Sequence, residues 1–379
     1  MTTAKESSTA AAGLRGVVAA QTKMGKVNGE EGILIYQGYD VHDLAEHSTF
    51  EETVYLLWNG NLPTESELEG LKSQLRSNYA LPPEILVFMK HFPHDAQPMD
   101  VLRTVVSTLA FYDKEGTKTD LENATQAAIK LTAQFPTILA AWERIRNDKE
   151  PVLPDTNLDI AENFLYMMRG EKPDPSEAKM LDVCLILHAD HGFNASTFTT
   201  RVISGTLADM YGAVTGGIAA LAGPLHGGAN TAVMKSLLEI GSVENVEPWL
   251  EKKLANKEKV MGMGHAVYKT EDPRATWLRK FSEQMGGVTG DMKWFEMSRK
   301  LEELMKEKKG LNPNVDFYSA STYYMMGIPM DLYTPIFAIS RISGWTGHIL
   351  EQFANNKLIR PRAEYVGEMD RKYVPMNER

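Results

Sequence analysis

Two histidines sit in glycine-rich turns, a pattern typical of side chains that meet a ligand. His226 lies in "LAGPLHGGAN", and His265 follows Gly264 in "VMGMGHAVYK". Glycines let the backbone come close to a neighbouring group. His226 also precedes the helical pattern "GGANTAVMKSLLEIG". The partial positive charge of a helix start lowers a histidine pKa, so a neutral ring there can donate a hydrogen bond to a carbonyl oxygen.

Charged residues in apolar surroundings complete the set of candidate catalytic and binding residues. Asp316 lies between apolar neighbours in "NPNVDFYSA", where lost solvation makes a carboxylate a stronger base; a helix cap or turn is its structural alternative. Arg341 is the only charged residue of the apolar stretch 332–350 and needs a partner or a ligand. Arg274 in "EDPRA" and Arg360 in "LIRPRAEY" add guanidinium forks that bind carboxylates bidentately.

Composition limits the classes of function. The 379 residues suggest about two domains, and 43% hydrophobic with 24% charged residues is typical of a globular protein. A net charge of −10 excludes a general basic footprint for nucleic acid or anionic membranes. The single cysteine, Cys184, excludes an intrachain disulfide and favours a core role in a cytoplasmic protein. Residues 1–12 are interpreted as a flexible tail, and no apolar stretch is long enough to span a membrane.

The elements that must position these residues are mainly helices. Thr49 with Glu52, and Thr64 with Glu67, have the spacing of capping boxes. The pattern after Pro175 predicts a helix that carries Cys184, His188 and His191 on one side. Further helical windows are 99–112, 121–145, 211–223, 229–240, 292–308 and 332–355, and the only strand signal is a hairpin arm at 32–40. Composition breaks near 221–228 and 327–329 are candidate domain boundaries.

Common catalytic motifs are missing from the sequence. There is no P-loop and no G-x-S-x-G elbow, and "GMGHAV" lacks the third glycine of a dinucleotide fingerprint. "HADH" (188–191) could begin a metal site, but no third ligand is evident, so no metal is expected.

Six blocks, in order, resemble the signatures of the citrate synthase family. They are "LHADHGFNASTF", "GPLHGGAN", "GMGHAVYKTEDPRA", "PNVDFYS", "AISRISGW" and "IRP", and the resemblance extends from about Gly13 to the C-terminus. It implies an all-α fold with a minor N-terminal β-hairpin and a cleft between two domains. The large helical domain would comprise 13–222 and 329–379, and the small domain, on the coenzyme A side, 223–328.

The resemblance also implies a reaction and residue roles. Acetyl-CoA and oxaloacetate would give citrate and CoA, with Asp316 as the base, His226 donating to the thioester oxygen and His265 polarising the oxaloacetate carbonyl. The implied substrate-binding residues are His191, Arg274, Arg341, Phe337, Asn194 and Ser196, with Arg360 from the partner subunit. The implied coenzyme A site comprises Val260, Met261, Gly262, Met263, Gly264, Lys269 and, from the other subunit, Arg76.

The resemblance further implies a homodimer with shared sites, with larger assemblies open, and acetyl-CoA as cosubstrate without a tightly bound cofactor. The nearest alternative is 2-methylcitrate synthase, which uses propionyl-CoA; Leu225 resembles the citrate-forming type. A pocket discriminates one methylene by only about 1–3 kcal/mol. A non-catalytic helical scaffold is the remote alternative, although His226, His265 and Asp316 are all present. Domain closure is expected, because the citryl-CoA intermediate must be kept from water until the site is assembled.

Overall fold

Helices form nearly all the regular structure of residues 12–14 and 16–379, the part of the chain that this computed structural model describes. The predicted tail therefore lies, except for Ala12, outside the described residues. The α-helices are α1 (Val41–His47), α2 (Phe50–Asn59), α3 (Glu65–Ser77), α4 (Pro83–Met89), α5 (Pro98–Leu109), α6 (Leu121–Ile145), α7 (Ile160–Arg169), α8 (Pro175–His188), α9 (Ala195–Ser204), α10 (Met210–Leu221), α11 (Ala229–Ile240), α12 (Val246–Ala255), α13 (Pro273–Thr289), α14 (Lys293–Lys309), α15 (Val315–Met325) and α16 (Tyr333–Ala354).

A small antiparallel sheet precedes the helices. Its strands are β1 (Gly25–Asn28), β2 (Ile33–Tyr36) and β3 (Tyr39–Asp40), in the order β1-β2-β3. The predicted arm at 32–40 contains β2 and β3, whereas β1 has no apolar alternation and is held by pairing with β2, Gly25 opposite Tyr36. Four residues, 29–32, form the turn between β1 and β2.

Local signals fixed several helix starts as expected. The Thr64 side chain accepts the Glu67 N–H while the Glu67 carboxylate accepts the Thr64 N–H, a complete capping box for α3. Thr49 accepts the Glu52 N–H at 3.2 Å without the reciprocal bond. The windows 121–145 and 229–240 coincide with α6 and α11. The glycine-rich stretch 283–294 does not end α13 at its first glycines, since the helix continues to Thr289.

The prediction that His188 and His191 share a helix face is wrong. Helix α8 ends at His188, and His191 lies in the following loop. The buried Tyr36 hydroxyl lies at this helix end, within hydrogen-bond distance of the carbonyl oxygens of Ile186 (3.1 Å), Leu187 (3.3 Å) and Asp190 (3.0 Å). Its single proton serves one of these carbonyls at a time, while its oxygen accepts the Asp190 N–H at 3.3 Å, so Tyr36 holds the backbone in its non-helical path after His188.

The core is built around α16, whose residues are buried on nearly every side. It packs against α2, α6, α8, α9 and α10. Glycines in α10 allow close helix packing, since a Cβ at Gly216 would lie 2.2 Å from Ile203 Cδ1 and one at Gly217 would lie 2.7 Å from Thr200 Cγ2. Cys184, on α8, is fully buried and unpaired, as expected of a small core residue.

A second group of helices packs around α15. Helices α11, α13 and α14 contact α15, and α12 contacts α14. The α13 helix also touches α1 and α8, and α11 touches α16, so the two groups meet along these contacts. Within the described residues, no helix is both long and apolar enough to cross a membrane.

Candidate active site

A cavity of about 660 Å³ lies where the two helix groups meet. It brings together side chains from segments far apart in the sequence. Of the residues predicted to serve the site, it is lined by His191, Asn194, His226, Gly264, His265, Arg274, Asp316, Phe337 and Arg341. Residues 17–20, ahead of the sheet, and Leu225 also line it.

The proton of His226 is placed by its contacts with Ser196. The Ser196 backbone N–H donates to His226 Nε2 at 3.3 Å, and the Ser196 hydroxyl oxygen lies 2.8 Å from the same nitrogen. An amide nitrogen can only donate, so Nε2 accepts and the neutral ring carries its proton on Nδ1. The Trp345 indole N–H donates to the Ser196 oxygen at 3.1 Å and fixes the hydroxyl further.

His226 is therefore a neutral hydrogen-bond donor at the cavity wall. Its pKa is lowered to about 4, mainly by burial and also by the nearby Arg341 cation. Helix α11 begins three residues later, at Ala229, as expected. Burial is the main cause of the lowered pKa, whereas the sequence had suggested the helix start. Both effects favour the uncharged ring.

His265 has the opposite tautomer. Its Nδ1 accepts backbone N–H groups from Val267 at 3.0 Å and Tyr268 at 3.1 Å. The proton must then be on Nε2, which is free to donate to a ligand. Burial lowers the His265 pKa, and Arg274 adds to the effect. The turn before it depends on glycine, since Gly262 and Gly264 have φ values of 78° and 79°.

Two buried guanidinium groups give the cavity its positive charge. Arg274 is held by Asp272 through two hydrogen bonds, Nε to Oδ1 at 2.9 Å and Nη2 to Oδ2 at 2.7 Å. Arg341 is 1% exposed, donates from Nε to the His188 carbonyl at 2.9 Å and lies 4.7 Å from the centre of the Phe337 ring. No carboxylate in residues 16–379 forms an ion pair with Arg341. This cation is therefore available for a ligand carboxylate.

Asp316 is placed at the first turn of α15. Asn314 caps this helix, accepting the Asp316 N–H at 3.0 Å, and its amide donates to the Gly264 carbonyl at 2.9 Å. The capping residue thus ties the loop of His265 to the helix of Asp316. The Asp316 pKa is raised to about 7, mainly by burial and also by Asp272, against the lowering effect of Arg274 and Arg341. Its carboxylate makes no hydrogen bond within the described chain.

His191 lies beside His265, with ring centres 5.4 Å apart. Its Nε2 is 3.1 Å from the Tyr268 hydroxyl. Burial lowers its pKa well below the usual value, and Arg274 and Arg341 add to this. His191 is consequently a neutral polar group in a positively charged pocket.

Sequence reasoning missed one residue at the site, Asp272, and considered another, His188, only as the start of a metal site. The Asp272 carboxylate holds Arg274 and also accepts the Val315 N–H at 3.2 Å, so it connects an arginine to the start of α15. The sequence feature that could have identified Asp272 is its position directly before Pro273, which is typical of a residue that caps a helix. His188 is buried, donates from Nδ1 to the Cys184 carbonyl at 2.6 Å and packs edge-on against Phe337. Its Nε2 is buried without a partner.

Other predicted residues lie outside the cavity. Arg76, on α3, pairs with Asp159 and Glu69 at 3.0 Å each. Arg360 is on the exposed segment that follows α16. Lys269 forms an exposed ion pair with Glu30. Val260, Met261, Gly262 and Met263 form the turn before Gly264, which also lines a smaller adjoining cavity of about 280 Å³ together with His265, Lys269 and residues 310–313.

The arrangement has the parts needed to remove a proton from carbon beside a carbonyl. A carboxylate with a raised pKa is a base matched to neutral pH. Two neutral N–H donors with fixed tautomers stabilise developing negative charge on oxygen, worth about 3–4 kcal/mol per donor in enzymes of known mechanism. The two arginines suit a dianionic partner. Among the described residues, no cluster of three or more His, Cys, Asp or Glu side chains is arranged to hold a metal ion.

Comparison with known proteins gives a consistent family match. The family model described as "Citrate synthase, C-terminal domain" matches residues 13–362. The chain is 50% identical over 372 residues to citrate synthase 2 of Bacillus subtilis, covering 98% of this chain and 100% of that protein. It is 48% identical over 373 residues to citrate synthase of Haloferax volcanii, covering 97% and 98%.

A solved structure agrees with the fold. Citrate synthase of Thermoplasma acidophilum, in a ternary complex with carboxymethyl coenzyme A and oxaloacetate, superposes with a TM-score of 0.91 at 34% identity, covering 97% of this chain and 99% of that one. 2-Methylcitrate synthase of Shewanella oneidensis is 43% identical over 369 residues, covering 97% of this chain and 98% of that protein.

Proposed function

The chain belongs to the citrate synthase family, and we propose on that premise that it condenses acetyl-CoA with oxaloacetate and water to give citrate and CoA. The observation that carries this proposal is the convergence of Asp316, His226 and His265 on one cavity that also holds two buried arginines. Burial keeps both histidines neutral, and the raised pKa of Asp316, about 7, makes its carboxylate a base suited to neutral pH.

Oxaloacetate binds first in the proposed course. Its carboxylates pair with Arg274 and Arg341, and His191 contributes a further polar contact, with Phe337, Asn194 and Ser196 shaping the wall. The keto oxygen faces His265 Nε2–H, which draws electrons from the keto carbon. Two guanidinium groups neutralising the dianion make that carbon a better electrophile.

Acetyl-CoA then loses a methyl proton to the Asp316 carboxylate. The electrons of the C–H bond pass to the thioester oxygen, where His226 Nδ1–H donates and stabilises the enol or enolate. The carbon attacks the keto carbon of oxaloacetate, and the new alkoxide takes a proton from His265. Water hydrolyses the thioester of the resulting citryl-CoA, and CoA leaves as the thiol.

The coenzyme site is proposed beside His265. Gly264, at the end of the turn 260–264, and Lys269 line the adjoining cavity of about 280 Å³, and the backbone groups of this turn suit an extended cosubstrate. No tightly bound cofactor is needed for this chemistry. The proposed large domain comprises 13–222 and 329–379, and the proposed small domain comprises 223–328. The two groups of helices, which meet at the cavity, support these boundaries.

A homodimer with shared sites is part of the proposal. The segment after α16, residues 355–379, is mostly without regular secondary structure and carries exposed apolar side chains, among them Leu358, Tyr365 and Val366. Such a segment gains stability by packing on a second copy. It would bring Arg360 to the partner's oxaloacetate, and Arg76 would approach the partner's coenzyme phosphates. A cytoplasmic location fits the single reduced cysteine.

The test is thiol release from acetyl-CoA in the presence of oxaloacetate, with propionyl-CoA compared by kcat/KM. We expect a preference for acetyl-CoA; a tenfold preference for propionyl-CoA would indicate a 2-methylcitrate synthase instead. Asp316→Ala should abolish turnover while calorimetry still detects oxaloacetate binding. Absence of thiol release from folded wild-type protein would revive the non-catalytic scaffold.

A further inference from the structure

The turn between β1 and β2, residues 29–32, touches the loop that carries His265; we call this turn the hairpin tip. The Gly29 carbonyl accepts the Lys269 N–H at 2.8 Å. A Cβ added at Gly29 would lie 2.0 Å from the Val267 carbonyl oxygen, and one at Gly32 would lie 2.7 Å from Thr270 Oγ1. Backbone thus meets backbone directly at Gly29, where any side chain would separate the two segments.

Val267 connects this contact to the imidazole of His265. Its carbonyl lies against Gly29, while its N–H donates to His265 Nδ1 at 3.0 Å. The neighbouring Tyr268 N–H donates to the same nitrogen, and Lys269 bonds to Gly29. Residues 267–269 therefore connect the hairpin tip to the imidazole of His265. A shift of Val267 would move the backbone N–H that fixes the tautomer of His265.

The other end of the hairpin is held firmly by the rest of the fold. Tyr36, paired with Gly25, bonds through its hydroxyl to carbonyls at the end of α8. A Cβ at Gly25 would lie 3.1 Å from the Asp190 carboxylate, so β1 also packs closely beside the loop of His191. In the proposed domain division the hairpin belongs to one domain and the loop of His265 to the other.

We propose that the hairpin tip is a latch that positions His265 for catalysis, and that Gly29 is the positioning residue at its centre. The inference rests on the proposed function. The latch holds the 265–269 loop across the cleft, so that Nε2–H meets the keto oxygen only when the two segments are in contact. The exposed Lys269–Glu30 ion pair contributes little by comparison, because exposed pairs are weak.

The variant Gly29→Ala tests the contact between the hairpin tip and the 265–269 loop without disturbing the fold of the turn itself. Gly29 does not have a positive φ, so alanine fits the turn itself, and only the approach to Val267 is blocked. Ordinary contact begins at 3.4 Å, against the 2.0 Å available, so the loop must move. We expect kcat to fall about 100-fold, typical of a reacting group displaced by about 1 Å. Oxaloacetate affinity by calorimetry should change far less, because Arg274 and Arg341 still hold the carboxylates.

Hydrogen exchange supplies a readout that does not depend on activity. The Lys269 amide should be protected in the wild type, more so with oxaloacetate, and should exchange faster in Gly29→Ala. Glu30→Gln, the matched control, removes only the exposed ion pair and should keep kcat within about twofold. Circular dichroism and thermal melting check that each variant folds.

The latch is refuted if Gly29→Ala keeps wild-type kcat, or if it loses oxaloacetate binding and kcat alike. Should that variant fail to fold, an unprotected Lys269 amide in the wild type would overturn the proposal and a protected one that responds to oxaloacetate would support it. If the wild-type protein released no thiol, the proposed function would be wrong. The hydrogen-exchange results would still test whether the hairpin tip contacts the 265–269 loop.

Discussion

Replacing the proposed base by its amide should stabilise the protein while it removes activity. Burial raises the Asp316 pKa from 3.8 to about 7, so the folded protein binds a proton that the unfolded chain has already released. Between pH 3.8 and about pH 7 the free energy of unfolding therefore falls as pH rises, and above about pH 7 the full destabilisation by the buried charge remains. A separation of about three pKa units corresponds to about 4 kcal/mol, which is the upper limit of the gain in Asp316→Asn.

The pH dependence distinguishes this cause from a general packing effect. At pH 8 the variant should gain up to about 4 kcal/mol, whereas at pH 5 the gain should shrink to less than half of that, because folded Asp316 is then protonated. Urea unfolding at both pH values and one fixed protein concentration measures the difference. Asp95→Asn, at an exposed position, is the control and should shift stability by less than about 0.5 kcal/mol. An equal gain at both pH values, or none at pH 8, would refute the argument.

Three further experiments test the roles assigned around the cavity. Mixing inactive Arg360→Ala with inactive Asp316→Ala subunits should restore partial thiol release, because one shared site in each mixed dimer is intact; no recovery after verified subunit exchange would place Arg360 in its own chain's site. Ser196→Ala should lower kcat by about 10–100-fold with little change in the KM for oxaloacetate, since the His226 ring loses its 2.8 Å contact with the hydroxyl and is held only by the 3.3 Å backbone N–H; an unchanged kcat would contradict that role. Asp272→Asn should raise the KM for oxaloacetate at least about tenfold, because a buried guanidinium loses its bidentate partner, and an unchanged KM in steady-state kinetics would count against it.

The sequence predicted those parts of the fold that depend on local signals. Helices 121–145 and 229–240 have strong apolar periodicity, and the capping box at Thr64 is complete in the structure. Strand β1 was missed because its pairing with β2 is a contact between backbones. The end of α8 was placed too late because the Tyr36 hydroxyl, about 150 residues earlier in the chain, bonds to the backbone where the helix stops, and such a tertiary contact leaves no trace in the local pattern.

The main cavity residues, and the direction of the pKa shifts of His226 and Asp316, could be predicted from the sequence, but the tautomers of the histidines could not. The tautomers of His226 and His265 depend on which backbone N–H groups reach each ring, and that depends on tertiary contacts. The raised pKa of Asp316 was anticipated in direction from its apolar neighbours. Asp272 and Asn314 act through hydrogen bonds to other segments, for which spacing along the chain gives no signal. The placement of Arg76 and Arg360 depends on a second copy and stays a prediction.

The lone cysteine has a practical consequence for every experiment described above. Cys184 is fully buried in α8, and burial raises its pKa to about 12. The thiolate form that reacts with disulfide reagents is therefore negligible at neutral pH. A colorimetric reagent for free thiols should record the released coenzyme against almost no background from the folded protein. A cysteine introduced at the surface, at Glu30 for instance, should take up a fluorophore at that single position and report the movement of the hairpin directly.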